Sequence, residues 1–200
     1  MDDPSAQARE QQISAMRAVA HPVRLRMLSL LTGTTMSAAE VARELDLTHA
    51  NASYHLRLLA DAGEIVVDGE EKVRGGTAKR YRYPHERDLA PLAPGAPHPT
   101  VDPEHRALYV RAIGTELERR TLAREPGTRG SSSDLEGWVD PAAWEEAAAL
   151  VERASALLHQ ANRPPRTEGT VHVSFTAIAF QMSAPDTPDL TRTADHEDPA

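Results

Sequence analysis

The chain has 200 residues, which suits one sizeable domain or two small ones joined by a linker. Hydrophobic residues make up 40% of it, enough to bury a core, and this content argues against wholesale disorder. No apolar run approaches the roughly 18 residues of a membrane helix, and the absence of cysteine excludes disulfides and thiolate chemistry. The first twelve residues are acidic and polar, unlike a secretory signal, so we expect a cytoplasmic protein without a membrane partner.

The formal net charge of −8 is unevenly distributed along the chain. Residues 1–90 contain 12 Lys/Arg and 13 Asp/Glu, whereas residues 91–200 contain 10 and 17, so the acidic excess lies in the second half. Between Lys72 and Arg87 the balance reverses, with six bases against Glu86 alone. A local basic patch is what contact with nucleic-acid phosphates requires. An ordinary solvated pair of strands is the alternative interpretation.

Apolar residues at helical spacing predict four helices in the first third of the chain. The first spans about residues 9–20, and Pro22 suits the first turn of the second. Ser37 and Glu40 predict a capping box that opens the third helix, and the fourth covers residues 49–62. The residues expected to face the core from the last three helices are Leu25, Leu28, Leu31, Val41, Ala42, Leu45, Ala52, Leu56 and Leu59.

Two short strands follow these helices, at residues 65–67 and 79–83, joined by a loop that contains a pair of glycines. Six prolines between 84 and 103 then predict a semi-rigid linker. In the second half we expect two more helices and two strands, whose ranges are 104–124 and 141–161 for the helices and 138–139 and 170–182 for the strands.

These patterns divide the chain into five parts. They are a flexible N-terminus (1–12), a first domain (13–84), a proline-rich linker (85–103), a second region (104–183) and a disordered tail (184–200). The predicted fold class is α+β, mainly α.

The third and fourth helices have the features of a helix-turn-helix. Ala42 is the small residue where the helices cross, Asp46 tolerates the left-handed turn between them, and Thr48 can cap the second. In this motif the second helix enters the major groove of DNA, where Asn reads adenine and Arg reads guanine or contacts phosphate. His55 lies at the edge of the buried stripe, where it either packs or contacts a phosphate. The candidate DNA contacts on this helix are Thr48, His49, Asn51, Ser53, Tyr54, His55 and Arg57.

Three separated motifs resemble the ArsR family of winged-helix transcriptional regulators. They are HPVRLRML at 21–28, AEVARELDL at 39–47 and ASYHLRLLADAGEI at 52–65, and the resemblance covers roughly residues 13–83. It implies an N-terminal winged helix-turn-helix and a homodimer that represses transcription from palindromic double-stranded operator DNA until an effector releases it. It also makes residues 49, 51, 53 and 54 the base readers and residues 72–82 the wing. The wing residues expected to contact phosphates or the minor groove are Arg74, Thr77, Lys79 and Arg80.

The chain departs from the founding members of that family, which sense metals. It lacks cysteine, and the segment from Asp102 to His105 is out of register with a zinc site on the dimer helix, so we expect no metal and no cofactor. We expect the second region to form the helical and β dimerisation part. It could also hold a small-molecule effector pocket lined by Trp138, Trp144 and Phe175, unless these aromatic residues form its core.

Two other classes of function were compared with DNA binding. A winged helix that binds proteins and no DNA is the alternative, and the acidic total charge favours it. We expect no enzymatic activity, because Ser53 and His55, two residues apart on a helix, point in different directions and no glycine-rich phosphate loop is present.

Overall fold

A computed structural model describes residues 13–73, 76–84 and 103–183, and it confirms the predicted fold class. Most of the described chain is helical, with one small antiparallel sheet in the N-terminal half. The helices are α1 (13–19), α2 (Pro22–Thr32), α3 (Ala38–Leu45), α4 (His49–Asp61), α5 (Pro103–Leu122) and α6 (Pro141–Ala161). The strands are β1 (Met36–Ser37), β2 (Val66–Val73) and β3 (Gly76–Arg82).

The starts of α2, α3 and α4 follow from local sequence. Pro22 occupies the first turn of α2, where its missing N–H costs no hydrogen bond. Ser37 and Glu40 form the predicted capping box at α3. Thr48 caps α4 by accepting a hydrogen bond from the backbone N–H of Asn51 at 3.2 Å. These caps satisfy N–H groups that have no partner within the helix, so each helix begins where the sequence predicts.

The turn between α3 and α4 is closed by Asp46 in the left-handed conformation, with φ 55° and ψ 52°. The next residue, Leu47, donates its N–H to the carbonyl of Ala42 at 2.8 Å. Asp is among the few residues other than glycine that adopt this conformation readily, because its short polar side chain can bond locally. This turn brings α4 across α3 and confirms the predicted helix-turn-helix geometry.

One hydrophobic core joins the first four helices to the sheet. The predicted stripe of α4 is fully buried, and α3 contributes all three of its predicted apolar residues. On α2 the most buried residues include Met27, which was not predicted, while Leu25 is only partly buried. The fully buried or nearly fully buried members of the core include Met27, Leu31, Val41, Ala52, Leu56, Leu59 and Ile65.

The sheet is a hairpin with a third strand added at its edge, in the order β1-β3-β2. β2 and β3 pair from Val66 opposite Arg82 to Val73 opposite Gly76, with a bulge between Val67 and Gly69. Both strands reach further toward the hairpin tip than predicted. The polar residues that follow Val67 do not resemble a strand in sequence, but the backbone hydrogen bonds of the ladder do not depend on side-chain polarity.

Helix α5 packs against α2 and buries two of its residues, Ala112 and Glu116. Leu108 and Leu117 of the same helix are exposed in the single chain. Helix α6 has no buried residue. After α6 the chain returns to the first domain, where the guanidinium of Arg166 contacts both carboxylate oxygens of Glu44 on α3 at 2.8 and 2.9 Å.

Neither strand predicted for the second region forms in this chain. Residues 138–139 and 170–182 have no strand conformation, and Trp138 is 84% exposed. A strand requires a partner for its backbone N–H and C=O groups, and none pairs with these segments in the described part of the chain. Because Trp138 and Phe175 are both exposed, the predicted aromatic pocket or core is absent from the described single chain.

The predicted flexible N-terminus, most of the linker and the predicted tail lie outside the described residues. None of the helices that are described is long and apolar enough to cross a membrane.

Candidate nucleic-acid interface

Helix α4 presents opposite faces of different character. Its core-facing residues have no measurable exposure, whereas His49, Asn51 and Arg57 are exposed and Tyr54 is 55% exposed. Ser53 is half-buried beside them. From His49 to Arg57 the exposed side chains of α4 include hydrogen-bond donors and acceptors and contain no carboxylate. This face therefore has the chemistry needed to contact base edges and phosphates.

The N-terminal end of α4 is the part best placed to meet an anion. Thr48 is exposed, and the first two residues of the helix, His49 and Ala50, are exposed with it. The first backbone N–H groups of a helix lack partners within the helix and carry partial positive charge. Thr48 satisfies one of them, so the remaining groups and the His49 side chain stand open at the end of the exposed face.

His55 is not on this exposed face. Its ring is half-buried, with its centroid 4.9 Å from that of His21 at the start of α2 and 5.3 Å from that of Tyr54. Burial, the nearby His21 and Arg24 lower the pKa of His55. Burial and Arg24 lower the pKa of His21 as well. The structure therefore packs His55 between α2 and α4, which is one of the two alternatives that the sequence left open.

The β2–β3 hairpin projects as the wing, and its exposed residues include Lys72, Thr77 and Lys79. Arg74, also predicted to contact DNA, lies outside the described residues. Lys79 stands opposite Glu70 in the ladder. The predicted wing contacts Thr77 and Lys79 are thus on the surface, next to an acidic residue that the sequence interpretation did not include.

Arg80 has a different environment from Lys79. Its guanidinium donates to the carboxylate of Glu40 at 3.1 Å, to that of Glu71 at 2.7 Å, and to the backbone carbonyl of Thr35. Arg82 lies 3.7 Å from the carboxylate of Asp68. Arg80 is therefore paired with carboxylates and does not belong to the exposed cations of the wing.

The acids that pair with these arginines were missed in the sequence. The predicted basic patch started at Lys72 and the first predicted strand ended at residue 67, but β2 continues through Asp68, Glu70 and Glu71 beside β3. The glycine pair between the two predicted strands was the available signal. Strands of equal length on either side of that turn place residues 68–71 opposite residues 78–81. The wing is consequently less basic than the linear sequence predicts.

The described residues contain no group of three or more His, Asp or Glu side chains that could hold a metal ion. His105, which the sequence placed out of register with a zinc site, accepts a hydrogen bond at Nε2 from Arg17 at 2.9 Å.

Comparison with known families agrees with the geometry. Residues 19–66, from the end of α1 to the start of β2, match the family model of a helix-turn-helix domain. No curated protein matches the chain. The fold and this match define a winged helix-turn-helix protein. This class indicates a DNA-binding regulator of transcription.

Proposed function

We propose that this protein is a sequence-specific transcriptional repressor of the ArsR type that binds palindromic operator DNA as a homodimer. Helix α4 lies in the major groove in this proposal, and the wing contacts the backbone or the minor groove. The three motifs that resemble the ArsR family support the type, and the family-model match supports the helix-turn-helix.

The observation that carries the proposal is the polarity of α4. Its inner side is sealed by Ala52, Leu56 and Leu59, so the helix cannot turn another face outward without emptying the core. The opposite side of α4 therefore always faces outward, and the groups that we assign to base reading lie on that side. A merely solvated helix face more often carries Glu and Lys, and the exposed part of α4 has neither.

We assign direct roles to residues on both elements. His49, Asn51, Ser53 and Tyr54 read bases, and Arg57 reads guanine or contacts phosphate. Thr48 contacts phosphate through the start of the helix. On the wing, Thr77 and Lys79 contact the backbone, and Arg74 belongs to the same proposed set.

The homodimer is supported by exposed apolar surface in the second region. Leu108 and Leu117 of α5 and Leu157 of α6 are exposed, and so are the large apolar residues of the segment 171–182. Large apolar surfaces on a single chain mark interaction sites. A twofold partner would cover them and would also present two copies of α4 to the two halves of a palindrome. An effector, if bound, would act through this region.

A titration of DNA binding by gel shift tests the proposal, using the duplex upstream of the protein's own gene and a random duplex of equal length. Wild-type protein should shift the first at lower concentration than the second. Asn51→Ala should weaken binding to the first by about 1–3 kcal/mol and bring the two affinities closer together, because it removes the reading of one base pair. Asp61→Asn, at the exposed far end of the same helix, is the matched control and should keep the preference.

Two results would count against the proposal. No shift of either duplex at low salt would favour a winged helix that binds proteins. Equal weakening on both duplexes by Asn51→Ala would remove the base-reading assignment of that residue.

A further inference from the structure

The capping box of α3 and the wing meet at one carboxylate. A single oxygen of Glu40, Oε2, accepts hydrogen bonds from the Ser37 backbone N–H at 2.7 Å, from the Ser37 hydroxyl at 2.9 Å and from Arg80 Nη1 at 3.1 Å. The cap of the first helix of the helix-turn-helix is therefore bonded directly to the third strand.

This meeting follows from the position of Ser37 in both elements. Ser37 is the N-cap of α3 and also the last residue of β1, where it lies opposite Arg80 in the ladder. Glu40 comes one helical turn later, so its side chain folds back to the same place. Ser37 and Glu40, which are three residues apart in sequence, therefore both form the helix cap and lie beside Arg80 of the wing strand.

The other hydrogen bonds of Arg80 link the same site to β2 and to the residue before β1. Its guanidinium also donates to Glu71 on β2 and to the carbonyl of Thr35 just before β1. Arg80 is 28% exposed, so these bonds are partly shielded from water. In Arg80, Nη1 reaches both carboxylates and Nη2 reaches the carbonyl of Thr35, and the single nitrogen of lysine cannot occupy both positions.

We propose that Arg80 is a positioning residue that holds the wing at a fixed angle to the recognition helix, and that it is not itself a phosphate contact. The proposal rests on the proposed DNA-binding function, because a fixed wing angle matters only if wing and helix engage one duplex together. Lys79, its exposed neighbour, remains the backbone contact.

The test compares charge-preserving and charge-removing variants of the full chain on a labelled random-sequence duplex at low salt. Arg80→Lys keeps the positive charge but cannot make the three-way connection. It should weaken binding about tenfold, nearly as much as Arg80→Ala. Lys79→Ala should also weaken binding and should lower the dependence of affinity on salt by about one counterion.

Glu40→Gln distinguishes the positioning role of Arg80 from a purely electrostatic effect on DNA binding. It removes a negative charge close to the wing, so simple electrostatics predicts tighter DNA binding. Glutamine still serves in a capping box, but it holds Arg80 less strongly. The positioning role therefore predicts weaker binding in this variant, against the electrostatic expectation.

Amide hydrogen exchange of β3 without DNA separates this inference from the proposed function. Arg80→Lys and Glu40→Gln should speed exchange across Gly76–Arg82 about tenfold, whereas Lys79→Ala should leave it unchanged. If wild-type protein bound no DNA while these exchange rates changed as expected, the DNA-binding proposal would fail and the structural connection would stand. Wild-type binding and exchange in Arg80→Lys, with tenfold weaker binding in Arg80→Ala, would overturn the inference and make Arg80 a phosphate contact.

Discussion

At the scale of single residues, the angle between α3 and α4 depends on a backbone conformation that few side chains tolerate. Asp46 holds φ at 55°, and the described chain has only one other residue besides glycine with positive φ, Arg166. A left-handed conformation costs an ordinary L-residue roughly 1–2 kcal/mol, less for Asp and least for glycine. The identity of this one residue thus influences how α4 is presented.

Substitutions at Asp46 should show how much the left-handed conformation of this residue costs in stability. Asp46→Val should lower the free energy of unfolding by about 1–2 kcal/mol, because a β-branched side chain clashes in this conformation. Asp46→Gly should stay within about 1 kcal/mol of wild type, since the freedom of glycine in the unfolded chain offsets its relief of strain. Urea unfolding followed by circular dichroism measures both. Equal stability of the two variants would show that the turn carries no such strain.

At the scale of elements, α2 and α4 meet through two histidine rings whose charge depends on pH. His21 Nδ1 accepts a hydrogen bond from the Val23 N–H at 3.2 Å, so the ring must be unprotonated at that atom to cap α2. His55 Nδ1 is buried, and no residue in the described part of the chain forms a hydrogen bond with it. Arg24 adds positive charge to the same cluster. Protonation of either ring would thus place charge in a site that already repels it.

Acidification should destabilise this packing within a definite range of pH. The folded protein lowers the pKa of both histidines below their ordinary value of 6.5. The unfolded chain therefore binds protons first as the pH falls. The stability from the neutral rings is complete above about pH 6.5 and is lost progressively as the pH falls through the lower folded pKa values.

Urea unfolding of wild type and His55→Gln between about pH 7.5 and pH 5 measures this loss. The free energy of unfolding of wild type should fall with pH, and the fall should be smaller in His55→Gln, which titrates one ring fewer. Parallel curves for the two proteins would show that His55 does not contribute to the pH dependence. Glu40 affects stability in a lower pH range. The backbone N–H of Ser37 is the main cause that lowers the pKa of its carboxyl, so the contribution of Glu40 to stability is lost only below about pH 4.5.

At the scale of the whole molecule, the two halves of the chain are unequally packed. The first domain contains nearly all of the fully buried residues, while α6 buries none and α5 buries only Ala112 and Glu116. Glu116 is 3% exposed and is paired with Arg119 at 2.9 Å. Contacts between the second region and the first domain include the ion pair of Arg166 with Glu44 and the packing of Tyr109 of α5 against the core. Apolar residues of the second region, such as Leu117 and Leu157, remain exposed in the single chain.

Leu117→Glu should prevent the proposed homodimer. Leu117 is 46% exposed on α5, so a carboxylate is tolerated in the single chain but would be buried without a partner in a twofold interface. Light scattering after gel filtration should give twice the chain mass of 21.8 kDa for wild type and the chain mass for the variant. Glu118→Gln, at the neighbouring exposed position, is the control and should remain a dimer. A wild-type protein of single-chain mass at every concentration would rule the homodimer out.

The sequence by itself determined the elements that depend on neighbouring residues. Pro22, the Ser37 capping box, Asp46 and Thr48 act within one helical turn, so their effects were predicted correctly from order alone. The buried stripe of α4 was predicted for the same reason, because helical periodicity places Ala52, Leu56 and Leu59 on one side wherever the helix packs. The position of that stripe also predicted which face of α4, the one with the candidate DNA contacts, is exposed.

Tertiary structure alone decided which charges pair and which predicted strands form. Arg80 counted as a free cation in the linear sequence, yet β1, β2 and α3 bring Thr35, Glu71 and Glu40 to it from up to 45 residues away. The segment 170–182 has a strand-like pattern but no strand in the single chain, since pairing requires an edge elsewhere in space. Ion pairs and ladders are relations between distant segments, so their energy depends on distances that residue order does not contain.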